Sequence, residues 1–142
     1  MSTDYPKNNR IARISQRTSD TVDLAEARHK LRRLHAESFT VGDAVDEYRS
    51  AEVLGEHAQA IFDRVVDKFM FDWLSLPLAK LDGFTVQLRF HLLVQLKELD
   101  AARWVLQAVR TLRNFTLMEH PEFMPFLPDD PCNFPMPVIL DE

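Results

Sequence analysis

The chain has 142 residues, 46% of them hydrophobic and 27% charged, and a net charge of −5. Those figures describe one ordinary globular domain, large enough to bury a core without disulfide or metal staples. A single cysteine, Cys132, rules out an intramolecular disulfide. No apolar run is long enough for a membrane span or a secretory h-region, so the expected setting is the cytoplasm, with no membrane partner.

The charge is distributed in blocks: residues 1–39 carry +3, 40–75 carry −5, 76–115 carry +3 and 116–142 carry −6. Neighbouring segments of opposite sign are expected to lie side by side, a bias on pairing worth about 0–1 kcal/mol per surface pair.

Residues 1–19 are polar and aperiodic and read as a flexible basic N-terminal tail. Lys7, Arg10, Arg13 and Arg17 place four positive charges there with no acid among them. A helix is expected over about 21–38, capped by Asp20 or Thr21. Leu24, Ala27, Leu31 and Leu34 form its apolar stripe, and Arg28, Lys30, Arg32 and Arg33 load its later turns. In "SFTVGDAV" the chain stops and restarts, with Thr40 and Asp43 spaced as a capping box and Phe39 and Ala44 as a hydrophobic staple.

From about 43 to 75 the apolar spacing stays helical, which predicts one long helix, bent or broken at Gly55. Pro77 and Asp82-Gly83 then mark a turn. Over "FTVQLRFHLLVQLKEL" the apolar residues fall on most sides, so a central, buried helix is expected; a strand over 84–92 is the alternative, because Phe84, Val86, Leu88, Phe90 and Leu92 alternate. A second stretch, with Ala101, Trp104, Val105, Ala108, Leu112 and Phe115 in one stripe, continues the helix to about 115. The two arms, 43–75 and 84–115, imply a long antiparallel helical hairpin, with helix 21–38 as a third layer. The expected class is all-α, with the helical domain over 20–118.

Residues 119–142 contain six of the eight prolines and no lysine or arginine. That spacing of proline predicts an extended strap, and its aromatic and aliphatic residues make it too apolar for a solvated linker. It is expected to pack on its own core, with its acids meeting the basic 84–115 arm, or on a partner. "AIFDRVVD" at 60–67 and "SLPLAKLDGFTVQLRF" at 75–90, about a third of the chain, resemble uncharacterised small bacterial helical-hairpin proteins. Where such proteins read Pro-Ala-x-Thr-Leu-x-Gly, this chain has Pro77-Leu78-Ala79-Lys80-Leu81-Asp82-Gly83 and lacks the threonine. The resemblance implies the hairpin and no activity.

Chemistry-bearing patterns are sparse. The five histidines do not complete a zincin or di-iron motif: Glu56-His57 has Val53 where an inverted zincin needs histidine. Asp63/Asp67 and Glu52/Glu56 share helix faces but read as an ion-paired surface rather than an acid–base couple. Three widely spaced glycines make no phosphate loop, and Cys132 among acids is a poor nucleophile. No enzyme, metal or cofactor is expected. The leading reading is a protein–protein interaction or assembly module that self-associates as a homo-oligomer. Its partner-binding residues would be Phe69, Phe71, Trp73 and Leu76 at the hairpin tip, and Phe123, Phe126, Phe134, Val138 and Ile139 in the strap. The alternative is a nucleic-acid-binding accessory protein using Lys7, Arg10, Arg13, Arg17, Arg28, Arg32 and Arg33.

Overall fold

A computed structural model describes residues 23–134. The expected tail 1–19, the helix start at Asp20 or Thr21, and residues 135–142 lie outside the described residues. The chain divides into two compact units, Met1–Leu34 and His35–Glu142. Helix α1 runs over 23–38 in the described residues, and positions 23–34, in the first unit, are all exposed. Within this unit Leu24, Leu31 and Leu34 are 58%, 66% and 57% exposed. The order of charge supports this stretch locally, with Asp23 and Glu26 early, basic residues late, and Glu26 four residues before Lys30.

The second unit is built from four further α-helices: α2 (Val41–Ser50), α3 (Glu56–Phe69), α4 (Gly83–Gln95) and α5 (Leu99–Glu119). Three 3₁₀ segments, Phe71–Trp73, Leu78–Lys80 and Pro121–Phe126, join or follow them. Residues 84–92 are helical, and no strand occurs among the described residues beyond an isolated bridge between Thr40 and Pro77.

The start of α2 accounts for every backbone donor that a helix N-terminus leaves without an internal partner. Thr40 and Asp43 form the capping box: the Asp43 amide donates to Thr40 Oγ1 and the Thr40 amide to Asp43 Oδ2, both at 3.0 Å. The two amides between them leave the helix altogether. Val41 N donates to the Leu76 carbonyl and Gly42 N to the Leu74 carbonyl, each at 2.9 Å, while Leu78 N returns a bond to the Phe39 carbonyl at 2.8 Å. Backbone thus lies against backbone, and a Cβ on residue 42 would sit 2.9 Å from the Leu74 oxygen.

The helix expected over 43–75, bent or broken at Gly55, is broken there into two helices and followed by a 3₁₀ turn. The break comes at Ala51–Gly55, where Glu52 adopts φ 50° and ends α2, and Gly55 serves as the N-cap of α3. The expected run from 84 to 115 is likewise broken. Lys97 has φ 61°, and its amide donates to the Val94 carbonyl while Glu98 N reaches back to the Leu93 carbonyl, which is the Schellman pattern with lysine in the glycine position. The chain reverses there: Leu81, just before α4, shares a small cavity with Val109 and Arg113 of α5.

The central helix is α5, not the 84–98 segment. It packs against α2, α3 and α4, and Ala101, Ala102, Val105, Leu106, Ala108, Val109, Leu112 and Thr116 are buried along it. At 100° per residue these positions cover an arc of about 160°. Three alanines among them let neighbouring axes come close. Helix α4 buries only Val86, Phe90 and Leu93.

Directly after α5, over Pro121–Phe126, the chain is a 3₁₀ helix rather than the extended strap expected. Pro121 opens a 3₁₀ helix at the position where its missing amide costs nothing, and Pro125 sits inside it because the short helix asks few amides to donate. Phe123 is completely buried, with Phe39 at 5.3 Å, His35 edge-on at 5.0 Å and the His120 ring stacked at 4.7 Å. His120 Nε2 also meets Glu47 of α2 at 2.9 Å. Arg113 Nη2 donates to the Pro128 carbonyl rather than to one of the acids expected to meet the basic arm. Cys132 Sγ lies 3.4 Å from the Leu106 carbonyl, and Phe134 packs edge-on against Phe90 at 5.9 Å.

Two substitutions test this account by urea denaturation. Gly42→Ala is expected to cost about 1–3 kcal/mol, because the methyl group forces the Leu74 backbone away from the α2 terminus. Lys97→Gly is expected to gain about 1 kcal/mol by relieving the left-handed conformation.

Candidate functional site

The dense apolar tip of the sequence is largely used within the fold. Met70 and Trp73 are buried, Phe69, Leu74 and Leu76 are half-buried, and only Phe71, at 65% exposed, remains largely open among the aromatic residues there. The cause is Arg89 of α4. Its guanidinium lies 4.4 Å from the Trp73 ring, donates to the Phe69 carbonyl, and makes a two-pronged pair with Asp72. The 3₁₀ turn Phe71–Trp73 is therefore pinned with Trp73 inward. Of the strap residues, Phe123 is buried, Phe126 and Phe134 are half-buried, and Val138 and Ile139 lie outside the described residues. Lys7, Arg10, Arg13 and Arg17 lie outside them too, whereas Arg28, Arg32 and Arg33 are exposed on α1.

Among the described residues of the second unit, two apolar surfaces stay open that the sequence reading did not separate. The first is a groove of about 230 Å³ where α3 and α5 diverge beside the α2–α3 connection. Tyr48, Leu54, Ile61, Phe62 and Trp104 line it, and Ile61 and Trp104 stand at its rim, 37% and 45% exposed. The second is a stripe on α4. Phe84, Leu88, Leu92 and Leu96 recur every four residues and are 69%, 56%, 48% and 62% exposed. This repeat was present in the sequence but interleaved with Val86, Phe90 and Leu93, which point the other way into the core. Arg89 is the one charged residue within α4, and it is engaged with Asp72.

Several titratable groups in this unit are engaged in holding the fold. Asp82 caps α4 through the Thr85 amide and hydroxyl, and these bonds hold its pKa below the usual carboxylate value. Asp72 is lowered in the same direction, chiefly by its hydrogen bonds from Arg89. Asp63 accepts from Arg49 at 2.7 Å and from Gln59 at 2.9 Å. Burial pushes the Cys132 thiol up to about 11, with Asp130 adding to the rise against Arg110 and Arg113. The thiol is thus protonated at neutral pH, and burial rather than acidic neighbours is the main reason.

Among the described residues, no three His, Cys, Asp or Glu side chains converge to hold a metal ion, and no helix is long and apolar enough to cross a membrane. Comparison with family models, curated proteins and solved structures finds no match to this chain.

The Asp72–Arg89 pair predicts an acid limb of stability. A carboxylate whose folded pKa is lowered contributes fully above its unfolded value, and that contribution disappears as pH falls through the folded one. Urea midpoints should therefore fall below about pH 4, where free aspartate titrates. The slope should be shallower in Asp72→Asn, which starts from a lower midpoint at neutral pH.

Proposed function

We propose that this chain is a non-enzymatic protein-interaction module that associates with copies of itself. The observation that carries the reading is the uncovered stripe of Phe84, Leu88, Leu92 and Leu96 on α4. Single exposed apolar residues are ordinary, but three in register on α4 with Leu96 at its C-cap make a continuous surface, as interaction sites do. The groove under Trp104 and Ile61 adds a second apolar surface with aromatic walls, of the composition that interface cores favour.

The non-enzymatic half of the reading is supported by how the acid, base and thiol groups are employed. Asp43 and Asp82 cap helices, Asp63 and Asp72 pair with arginines, Glu47 holds His120, and Cys132 is buried and protonated. A lone thiol of this kind suits a reducing cytoplasm. The fold reading that accompanies this function is the antiparallel helical hairpin of about 43–75 and 84–115, with each arm broken into two helices and α4 displaying one apolar side. The test is sedimentation of the intact chain from low to high micromolar concentration. The weight-average mass should climb towards twice that of one chain. A mass that stays at one chain throughout would overturn the reading.

A further inference from the structure

We infer that the groove between α3 and α5 binds a small amphipathic carboxylate. Its apolar body sits in the groove, and its carboxylate is held at the α5 lip by Arg103 and Arg110. The site shares no residue with the α4 stripe that carries the self-association reading, and it goes beyond that reading.

Shape and volume set the body of the ligand. A stripe on one helix is convex, whereas the groove is concave, with the buried rings of Tyr48 and Phe62 inside and Ile61 and Trp104 at its rim. Concave, mostly apolar sites with a few placed polar groups are the kind that small molecules occupy. Its 230 Å³ falls short of the roughly 300–1,000 Å³ that drug-sized ligands take. An apolar cavity of about 150 Å³ takes up benzene, so in proportion this one holds a body of about nine carbons.

The sign of the head group comes from the lip. Gln107 and Thr111 line the groove, and they also line a second hollow on α5 together with Arg103, Arg110 and Asn114. The two hollows therefore meet along Gln107 and Thr111. Arg103 stands four residues before Gln107 and Arg110 three after it, so a head group resting on Gln107 lies between two guanidinium groups. Both arginines are exposed, and neither makes an ion pair among the described residues. Arginine stays charged at any working pH, and its planar fork matches a carboxylate.

The α3 side has the same sign. Arg64 and Lys68 follow Ile61 by three and seven residues, which puts them on its exposed edge of the helix. Glu56, Asp63 and Asp67 share another edge, where Asp63 and Asp67 meet Arg49 at 2.7 and 3.9 Å. Asp100, one turn before Trp104, is the nearest acid along α5 and lies outside the lining. A chain of net charge −5 that gathers cations around an apolar groove selects an anionic ligand there over a neutral one.

Isothermal titration calorimetry of the intact chain tests this with nonanoate and with 1-nonanol, which has the same body and no charge. The proteins are the native chain, the double variant Arg103→Gln/Arg110→Gln, and Ala58→Trp, in which an exposed lining residue is enlarged to fill the groove. Melting followed by circular dichroism checks that each variant keeps its fold, as substitutions at exposed positions should. The native chain should bind one nonanoate, at least tenfold more tightly than nonanol. The arginine variant should lose that preference while its affinity for nonanol is unchanged, and Ala58→Trp should bind neither. No binding of nonanoate by the native chain up to millimolar concentration would overturn the site. Equal binding of the two ligands, or a preference that survives the arginine variant, would overturn the carboxylate assignment. Nonanoate binding untouched by Ala58→Trp would overturn the groove as its location.

Discussion

The arrangement of the second unit depends on one backbone contact, the docking of the α2 N-terminus onto the 74–78 segment. A helix end buried without partners for its first amides would cost a few kcal/mol, and here every one of them is satisfied. Two bonds come from the capping box, which is local and needs only Thr40 and Asp43. The other two come from Leu74 and Leu76, more than thirty residues along the chain. That second pair ties the beginning of the unit to the turn that launches α4. Gly42 makes it feasible, since any side chain there would meet the Leu74 oxygen. Pro77 contributes by its inability to continue a helix, which leaves the neighbouring carbonyls free to accept.

From this junction the rest follows by burial. The chain between α2 and the junction must leave and return, and α3 with the Phe71–Trp73 turn supplies that excursion. The tip is then closed by Arg89, whose planar guanidinium satisfies a carbonyl, a carboxylate and an aromatic face at once. Helix α5 fills the interior because small residues on nearly half its circumference admit three neighbours. Phe123 is seated among His35, Phe39 and His120. Among the described residues Thr116 is the one buried polar side chain, and its hydroxyl has no protein hydrogen-bond partner.

What was legible in the sequence follows from which signals are local. The capping box and the stop at residues 39–40 were legible, because both are written in side chains three residues apart. The α-helices were legible from apolar spacing, with 84–92 left open between helix and strand. Of the two internal breaks, the first was expected at Gly55 and falls there, whereas the second, at Lys97, was not expected. Both use left-handed residues that are not glycine, Glu52 and Lys97, held there by tertiary packing rather than by preference. Gly55, the residue that drew attention, is the cap of the next helix and has open space around it. Proline misled in the opposite direction: Pro121 and Pro125 sit within a 3₁₀ helix, which tolerates them at positions an α-helix interior does not. The aromatic residues of the tip were read as available surface because the sequence does not show that Arg89 arrives to pin Trp73 inward.

The same blindness to partners explains α4. Its apolar residues fall into two sets, 86, 90 and 93 against 84, 88, 92 and 96, and sequence alone merges them into one buried helix. Separating the sets changes the helix from a core element to a two-faced one. Both its ends are fixed, by the Asp82 cap at one and the Lys97 turn at the other, and Arg89 clamps its middle to the 3₁₀ turn. A stripe carried on such a helix has little conformational freedom left to lose when something covers it, and ordering cost is what most often makes small interfaces fail. Rigidity therefore compensates for modest area. An apolar surface this small would be negligible on a loop, yet on a helix anchored at three points it is a workable binding face.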